Sequence, residues 1–505
     1  METEIELKFF VSPDYSTVLQ EKIADAKILQ HNQRTLGNTY FDTEEHWLRQ
    51  HDIGLRIRRF DNVYVQTVKT AGRVVAGLHQ RPEYNAEHNC NDPDLSLHPE
   101  DIWPDGMPLA TLQQALNPLF STDFTREQWL VAMPDGSQIE LAFDMGTVTA
   151  GEQSEPICEV ELELKSGQTD ALFTLARQLS EGGAMRLGNL SKAARGYRLA
   201  TGYQGDAVRE LPLVATKEND SIETCFINSL EHALNHWHYH EQIYVERDEI
   251  AALKQIYESV SFIRQVLTVF KSVIPKRASA LIRQELKWLE QELVWLHSYQ
   301  HVDALLDDKA WALRKLDAKK PLVQALQSYQ ETLPSRASML ELIQSARYVG
   351  LLLDLSRWLL TRGWQPFLDD KSRETMQQSV ESFAQVQLDN TWQAICVAFP
   401  NGSELSKDDY ITQYYRLRRN LFTGVSFANI FNHDLRQSFR LPWEDLMQGI
   451  DDLMALEPLE KLVGSLSDEE NEQLARWLSR RETSILNAME QTRQIGMDVQ
   501  PYWRF

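Results

Sequence analysis

The feature that most constrains the fold is a series of short segments, within the first two hundred residues, in which charged and apolar residues alternate. The first of them is Glu4-Ile-Glu-Leu-Lys8. Because successive side chains of a strand point to opposite faces, Glu4, Glu6 and Lys8 would share one face, and Ile5 and Leu7 the other. Such a charged face lies either in water or around an enclosed polar interior.

Later segments repeat this alternation with charges of both signs. Arg56 and Arg58 share a face, and Arg81 shares one with Glu83. Further shared faces carry Glu140 and Asp144, and then Glu159, Glu161 and Glu163. Three carboxylates in a row repel each other unless cations lie among them. The pattern therefore favours charged faces that converge inside a barrel, whose apolar outer surface is covered by helices.

Turn residues separate these segments, which indicates antiparallel strands. Asp61-Asn62 and Pro134-Asp135-Gly136 would each close a hairpin. A helix is predicted over residues 12–29. Strands are predicted near residues 4–9, 38–42, 54–60, 63–69, 79–84, 124–132, 138–144 and 157–165.

Converging charges of both signs predict a particular kind of ligand. Arginine offers a planar donor fork that matches phosphate oxygens. Carboxylates spaced i, i+2 on a strand can hold Mg²⁺ or Mn²⁺, which prefer oxygen ligands. Such a metal can orient water or polarise a phosphoryl group. The combination predicts a metal-bridged phosphate ligand; a solvated charged face is the alternative.

Taken in order, these residues resemble the CYTH superfamily of triphosphate tunnel enzymes. That superfamily includes thiamine triphosphatases, inorganic triphosphatases and class IV adenylate cyclases. The resemblance rests on Glu4-x-Glu6-x-Lys8, Arg56-x-Arg58, Arg81-x-Glu83 and the glutamate run that begins at Glu159. It implies a domain at residues 1–202 that forms a closed eight-stranded antiparallel β-barrel, or tunnel, with flanking helices.

The resemblance also implies roles for individual side chains. Catalysis would involve Lys8, Glu4 and Glu6, with Lys8 positioning the attacking water. Many family members carry a lysine where this chain has Phe124, so one phosphate contact would be lost or replaced, with Lys69 as a candidate. The implied phosphate-binding residues are Arg56, Arg58, Lys69, Arg81, Arg126, Lys192 and Arg195. The implied ligands for Mg²⁺ or Mn²⁺ are Glu4, Glu6, Glu83, Glu159, Glu161 and Glu163.

The remaining chain has a helical period instead of an alternating one. Residues 203–218 are predicted to be a linker, and residues 219–505 an all-α domain built from helical bundles. The whole chain is thus of the α+β class. Helices are predicted over residues 222–245, 248–270, 277–299, 336–360, 383–399, 408–433, 443–455 and 468–497.

A helical domain after a CYTH domain resembles the CHAD arrangement, which is linked to polyphosphate binding. The resemblance is divergent. Lys254 stands where the family histidine would be, and Tyr257 where the first arginine would be, although Arg264 remains. In a second stretch Tyr415 takes the histidine position. The predicted anion-binding surface is therefore degraded, and the domain is expected to act as a scaffold or an interaction surface for a protein partner or self-association.

Two pairs of histidines have the i, i+4 spacing of metal ligands: His232 with His236, and His297 with His301. Neither pair is accompanied by an HExxH motif or a third carboxylate ligand. Packed or surface histidines are the interpretation that the sequence favours.

Composition excludes several classes of function. A net charge of −22 argues against general nucleic-acid binding. The four cysteines form no CxxC pair, which argues against structural zinc and a disulfide framework. The amino terminus is charged from residue 2, and the longest apolar run, near residues 351–360, contains Asp354 and Arg357. We expect a cytoplasmic protein without a signal peptide or membrane segment.

Together these observations predict a metal-dependent hydrolase that cleaves inorganic triphosphate, a short linear polyphosphate, to pyrophosphate and phosphate. The layout resembles bacterial inorganic triphosphatases. Two alternatives stay open at this point: an adenylate cyclase of the class IV type, and a non-catalytic polyphosphate-binding scaffold. The absence of GxxxxGK[ST], GxGxxG and GxSxG motifs argues against common nucleotide-binding and esterase folds.

Overall fold

The structure is a computed structural model that describes residues 2–75, 77–307, 313, 316–400 and 402–504. Its contacts divide the chain into two compact units. The first unit contains residues 2–206 together with residues 340–363, and the second contains the remaining described residues. The boundaries at residues 202 and 219 that the sequence suggested stay predictions.

The first unit contains a closed antiparallel β-barrel of eight strands, as the sequence predicted. Around the barrel the order of strands is β1-β9-β8-β7-β2-β3-β4-β6, and β6 pairs back with β1. β5 extends the sheet beside β6, and β10 beside β1. The strands are β1 (Glu2–Val11), β2 (Lys27–Asp42), β3 (Gly54–Phe60), β4 (Val63–Lys69), β5 (Arg73–Val75), β6 (Leu78–His88), β7 (Asn117–Ala132), β8 (Gln138–Ala150), β9 (Gln153–Ser166) and β10 (Met185–Leu187).

Alternation along β3 shows how the sequence directs side chains to the two faces of the barrel. Leu55 and Ile57 are fully buried in an apolar cluster with Leu48, Leu95 and Leu112, which come from the elements around the barrel. The intervening arginines face the interior. The helices of this part are α1 (Tyr15–Ile23), α2 (Trp47–Gln50), α3 (Leu109–Ala115), α4 (Thr169–Ser180) and α5 (Lys192–Ala200), with 3-10 turns at Leu95–Leu97 and Glu100–Ile102.

The second strand corrects the prediction of a helix over residues 12–29. α1 ends at Ile23, and the extended chain of β2 begins at Lys27 and pairs with β7. The first half of β2 is exposed on both faces, so it lacks the alternation by which strands are recognised. Its partner strand, which begins at Asn117, was likewise predicted too short.

Helix α5 packs closely against the barrel. Its Tyr197 lies in an apolar cluster with Tyr40, Phe120 and Phe124, and the ring of Tyr197 meets that of Phe120 edge to face. Gly196 allows this approach, since a Cβ built there would lie 2.1 Å from the Phe120 ring. The Ser191 side chain caps the helix by accepting the N–H of Ala194.

Helices dominate the rest of the chain. Several predicted helical segments differ from the structure, and the helix predicted over residues 408–433 ends at Ser426. Residues 277–299 and 336–360 were each predicted as one helix, and each is broken; in the second, the Ser345 side chain accepts the N–H of Tyr348 and starts a new helix. The helix predicted to begin at Trp443 begins at His433 instead, because Asn432 caps it, and it continues through Pro442.

The bounds of these helices are α6 (Ile222–Arg247), α7 (Ile250–Val269), α8 (Ala280–Glu292), α9 (Trp295–Leu306), α10 (Lys319–Gln330), α11 (Arg336–Ile343), α12 (Ala346–Leu360), α13 (Asp370–Met376), α14 (Val380–Ala398), α15 (Lys407–Ser426), α16 (His433–Met454), α17 (Glu457–Glu460) and α18 (Asp468–Asp498). Short 3-10 turns lie at Phe270–Ser272, Lys276–Ser279, Gln365–Phe367, Ala428–Ile430 and Tyr502–Arg504.

Helix α12 belongs to the first unit, although it lies far along the chain. It packs against α4, and Arg357 donates two hydrogen bonds of 2.6 Å to the carboxylate of Asp170. Bidentate pairs of this kind fix orientation as well as position. In the described part of the chain, no helix combines the length and the apolar character that a bilayer crossing requires.

We expect Gly196→Ala to lower the free energy of unfolding by about 1–3 kcal/mol, because the added methyl would overlap the Phe120 ring and force α5 away. Urea denaturation followed by circular dichroism measures the change. Gly54→Ala is the matched control, since a Cβ at Gly54 meets no atom within 4 Å. Equal stability of the two variants would contradict the close packing of α5.

Candidate active site

The charged inner faces of the strands surround a cavity of about 420 Å³ in the first unit. The amino-terminal turn of α5 also contributes to its wall. All but two of the predicted site residues line this cavity. Those that do are Glu4, Glu6, Lys8, Arg56, Arg58, Lys69, Arg81, Glu83, Arg126, Glu161, Glu163 and Lys192.

Strand register places these side chains in layers. Glu6 on β1 is the partner of Glu163 on β9, which in turn is the partner of Glu140 on β8. One step further along, Lys8 is the partner of Glu161. Directly opposed residues on one face lie close enough to interact. The register therefore creates a layer of mixed charge beside an acidic layer. By acidic layer we mean Glu6, Glu140 and Glu163 together with Glu4, which lies two residues before Glu6 on the same face of β1.

The mixed layer is a cluster of buried ion pairs, which we call the ionic cluster: Lys8, Arg126, Asp144, Glu159, Glu161 and Lys192. One oxygen from each of its three carboxylates lies within 4.8 Å of the others. Arg126 donates to both oxygens of Asp144, at 2.8 and 2.6 Å, and to Glu161 at 2.5 Å. Lys192 lies 2.6 Å from Asp144 and 3.0 Å from Glu161, and it also contacts Glu159.

Lys8 completes the ionic cluster. Its Nζ lies 3.2 Å from Glu159 and also bonds Glu161. Burial opposes a charged ammonium, yet Glu159 and Glu161 raise the pKa of Lys8 well above its usual value. Burial also opposes the charged form of Glu161, but Lys192, Lys8 and Arg126 hold its pKa well below the ordinary range. Three cations and three carboxylates therefore balance each other inside the barrel.

The acidic layer is compensated less completely. Burial raises the pKa of Glu163 to about 7 against the opposing effect of Lys165, and the nearby carboxylates Glu4 and Glu140 raise it further. Burial also raises the pKa of Glu4, although Lys69 bonds its carboxylate. Raised carboxyl pKa values indicate more negative charge than the neighbouring cations neutralise. Among the described residues, the carboxylates that lie close enough together to hold a metal ion are Asp144, Glu159 and Glu161 of the ionic cluster. The metal-ligand roles implied for Glu4, Glu6 and Glu163 stay predictions.

Around Arg58 there is an excess of positive charge. Its Nε donates to Asn38 Oδ1 at 2.9 Å, and within the described ranges no carboxylate lies within 4.0 Å of its guanidinium. Burial together with the positive charges of Arg56 and Arg126 lowers the pKa of Arg58 to about 9. A buried guanidinium held beside two others favours an anionic ligand.

Two neighbouring cations are partly neutralised by Glu83. Lys69 lies 3.1 Å from Glu83, and Arg56 lies 4.0 Å from it. Burial acts against ionisation, but Lys69 and Arg56 still lower the pKa of Glu83 to about 2. Arg81 lies further out and donates to Asp52 at 2.6 Å. Glu83 thus acts here as a counter-charge for basic residues.

Glu159 and Arg195 do not line the cavity. Glu159 is fully buried beneath the other members of the ionic cluster. Arg195 donates to Glu155 Oε1 at 2.7 Å and to the backbone oxygen of Pro156, and it lies 3.5 Å from Glu159. Glu159 is thus a member of the ionic cluster and Arg195 lies next to it, and the roles implied for both stay predictions.

Phe124 occupies the position where many family members have a lysine. Its buried ring packs in the apolar cluster of Tyr40 and Phe120. Lys192 Nζ lies 4.9 Å from the ring centroid and Arg126 Cζ 5.7 Å from it. The aromatic face thus contacts two cations of the ionic cluster, which is a favourable arrangement. Lys69 lies beside Glu4 and Glu83 instead, so the suggestion that it replaces the lysine stays a prediction.

Sequence reasoning missed several residues of the site. Asp144 was noticed on a charged face but was not assigned to the site, although it joins the ionic cluster. Asn38, Tyr40 and His79 contact or line the cavity. His79 lies two residues before Arg81 on the same face of β6. Its inward position therefore follows from the alternation, but a neutral side chain adds no charge to the pattern.

In the second unit several of the basic residues and histidines that the sequence singled out have partners. Arg418 bonds Glu258 and donates to His297 Nε2 at 3.3 Å, and Arg264 bonds Glu290. His232 donates to the oxygen of Pro212 at 2.7 Å. These contacts support the interpretation of packed histidines.

Fold and site together define a class: a closed antiparallel barrel with an ionisable interior, joined to a helical part. A model of the CYTH domain matches residues 2–197, and a model of the CHAD domain matches residues 228–454. Residues 2–197 therefore belong to the CYTH family, and residues 228–454 to the CHAD family.

An inorganic triphosphatase of Haemophilus influenzae is 42% identical over 199 residues. The match covers 39% of this chain and 55% of that protein, so the chain spans little more than half of that relative.

Solved structures show weaker likeness. The CHAD domain from the plant Ricinus communis is 17% identical with a TM-score of 0.43, over 57% of this chain and 97% of that one. A Hippeastrum protein described as an adenylyl cyclase with dominant triphosphatase activity is 21% identical with a TM-score of 0.30, over 39% and 96%. At such scores neither likeness bears on function.

We expect the metal-free Glu163→Gln variant to be more stable than the wild type at pH 8 and nearly equal to it at pH 4.5. Burial raises the folded-state pKa of Glu163 to about 7, above the ordinary range of a glutamate carboxyl in the unfolded chain. The folded wild type therefore loses stability as pH rises through that window, on the order of 3 kcal/mol in total, whereas glutamine does not titrate.

Thermal melting in EDTA from pH 4.5 to 8 measures this difference. Glu87→Gln, at an exposed position of β6, is the control and should show no comparable dependence on pH. A constant difference between Glu163→Gln and the wild type across the range would contradict the burial of a charged Glu163.

Proposed function

We propose that this protein is a metal-dependent hydrolase that converts inorganic triphosphate, a short linear polyphosphate, to pyrophosphate and phosphate. The observation that carries the proposal is the uneven charge of the cavity. The cavity wall contains the carboxylates Glu4, Glu6 and Glu163, and it also contains Arg58, whose positive charge adds to those of Arg56 and Arg126. A linear polyanion bridged to a divalent cation would complement both at once.

The basic residues of the wall would bind the phosphate chain. Arg56 and Arg58 on β3 and Arg126 on β7 present guanidinium groups to one cavity, where the N–H donors that are not already engaged by Asn38, Asp144 and Glu161 can meet phosphoryl oxygens. Because these groups are held by the barrel before any ligand arrives, little reorganisation is needed as charge develops on the transferring phosphoryl group. Lys69, Arg81 and Lys192 would contribute further donors.

The acidic layer would hold Mg²⁺ or Mn²⁺. Glu4 and Glu163 fit such an ion, because burial raises the pKa of each carboxyl and the binding of a divalent cation releases the proton. Glu4, Glu6 and Glu163 would be its ligands, with Glu161 within reach on the neighbouring layer. The ion would supply charge neutralisation for the phosphoryl oxygens and orientation for water.

The attacking water would be positioned beside Lys8 and the acidic layer. Its oxygen would form the new bond to the terminal phosphorus, the bridging P–O bond would break, and the electron pair would leave with pyrophosphate. Both protons of the water would end on the released phosphate or on solvent. The relative that is named an inorganic triphosphatase supports this choice of substrate.

We expect Glu4→Gln and Glu6→Gln each to lower triphosphate hydrolysis at least about a hundredfold while the melting temperature changes little. Each substitution removes a charge from the proposed metal site but keeps the shape of the side chain. Phosphate release with Mg²⁺ is the measurement. Glu87→Gln serves as the control, and wild-type turnover in either variant would refute the assignment of the metal site.

One assay distinguishes the proposed hydrolase from a cyclase and from a binding scaffold. The wild type is incubated with triphosphate and, separately, with ATP, with Mg²⁺ and with Mn²⁺. We expect phosphate from triphosphate and no cyclic AMP from ATP. Cyclic AMP as the main product would indicate a cyclase. Tight triphosphate binding without phosphate release under either metal would indicate a binding scaffold.

A further inference from the structure

His79 is a buried imidazole in the wall of the cavity, with one nitrogen that has no partner. Its side chain is on the inner face of β6, and the residue is only 7% exposed. Nε2 has no hydrogen-bond partner in the described part of the chain. Leaving a buried polar atom unpaired costs about 1–3 kcal/mol. Because His79 lies in the wall of the cavity, this cost indicates that Nε2 has a partner in another state of the site.

The other ring nitrogen determines what kind of partner this is. The backbone of Gly188 bonds the ring in a way that favours its protonated form, so the Gly188 oxygen accepts from Nδ1–H. Burial lowers the pKa of His79 to about 4, and the positive charges of Lys8 and Arg81 also disfavour a second proton. Nε2 is therefore a hydrogen-bond acceptor. It cannot bind a phosphoryl oxygen, which is also an acceptor, and it requires a donor.

Lys8 is the donor that lies closest in the arrangement of strands. His79 is the strand partner of Glu6, and Lys8 is the next inward-facing residue of β1, which makes the two side chains diagonal neighbours. Gly188 ties them together, because its N–H also donates to the Lys8 oxygen at 2.7 Å. An ammonium has three N–H groups, and the described residues supply Lys8 with two acceptors, Glu159 and Glu161.

Those two acceptors are shared. Glu161 also binds Lys192 and Arg126, and Glu159 also binds Lys192. Both glutamates are among the predicted metal ligands. When Glu161 is engaged elsewhere, Lys8 loses an acceptor, and the lone pair of Nε2 on its diagonal neighbour His79 is a neutral acceptor that could take its place.

We propose that His79 is a positioning residue that accepts a hydrogen bond from the Lys8 ammonium when the cavity is loaded, and so holds that ammonium toward the reacting phosphoryl group. The catalytic part of this inference rests on the proposed function, whereas the contact between His79 and Lys8 does not. If His79 had only a structural role, the effect of substituting it on kcat would not depend on whether Lys8 is present.

The first experiment is a double-mutant cycle with His79→Asn, Lys8→Met and the double variant. Asparagine retains a donor for Gly188 but removes the acceptor at Nε2. We expect His79→Asn to lower kcat for triphosphate about tenfold with KM changed less than about twofold, and to have no further effect in the Lys8→Met background. His79→Gln, which restores an acceptor near the position of Nε2, should recover part of the loss.

The matched control is His98→Asn. His98 is also a buried histidine whose Nε2 has no partner among the described residues, but it does not line the cavity. We expect its kcat to equal that of the wild type. If His79→Asn and His98→Asn behave alike, or if the effects of His79→Asn and Lys8→Met simply multiply, the positioning role is overturned.

The second experiment observes the contact without turnover. In protein labelled with ¹⁵N-histidine, saturating triphosphate with Ca²⁺ should move the Nε2 resonance of His79 in the direction of a nitrogen that accepts a hydrogen bond. Lys8→Met should abolish this movement. A movement that persists in Lys8→Met would identify water as the donor and overturn the inference.

The resonance is assigned by its loss in His79→Asn, or in His79→Gln if the asparagine variant does not fold. A wild type without triphosphatase activity but with the Lys8-dependent resonance shift would refute the proposed function and retain the contact. An active wild type without the shift would refute the contact alone.

Discussion

The ionic cluster is the constraint on which the rest of the barrel depends. It joins Lys8 of β1, Arg126 of β7, Asp144 of β8 and the glutamates of β9 to Lys192 of α5. Removing a charge from water is costly, and a buried pair that loses one partner is strongly destabilised, by about 3–5 kcal/mol. Each element must therefore keep its position for the others to remain neutralised. The close packing of α5, through Gly196 and Tyr197, serves the same requirement because it delivers Lys192.

The charges of the ionic cluster balance each other, but two other parts of the cavity have charge that is not balanced. Burial raises the pKa of Glu4 and of Glu163, and Arg58 is held beside other guanidinium groups. Neither imbalance could persist in a flexible, solvated site, because the side chains would turn toward water. The barrel prevents this, and so its cavity is preorganised for a ligand that brings charge of both signs.

Particular residues show how far the sequence could predict this site. The alternating charges of β1, β3 and β9 identified most of the cavity wall, because inward-facing charge is unusual enough to be visible in one dimension. His79, Asn38 and Tyr40 are neutral and gave no such signal. β2 was largely missed, since its first half is exposed on both faces, and the break before α12 depends on a single capping serine. Local capping and exposure decided these elements, and neither produces a periodic pattern.

The sequence by itself determined which faces of the strands are charged, since side chains alternate with a period of two wherever a strand forms. It also determined that acidic and basic groups would share one interior once those faces converged. Only the tertiary structure decided which charges neutralise each other. Lys8 meets Glu159 and Glu161 across more than 150 residues because the register of β1 on β9 places them together. Burial then sets the strength of each interaction, so carboxylates of the same type on one strand differ: Glu161 is held ionised, and Glu163 holds its proton to about pH 7.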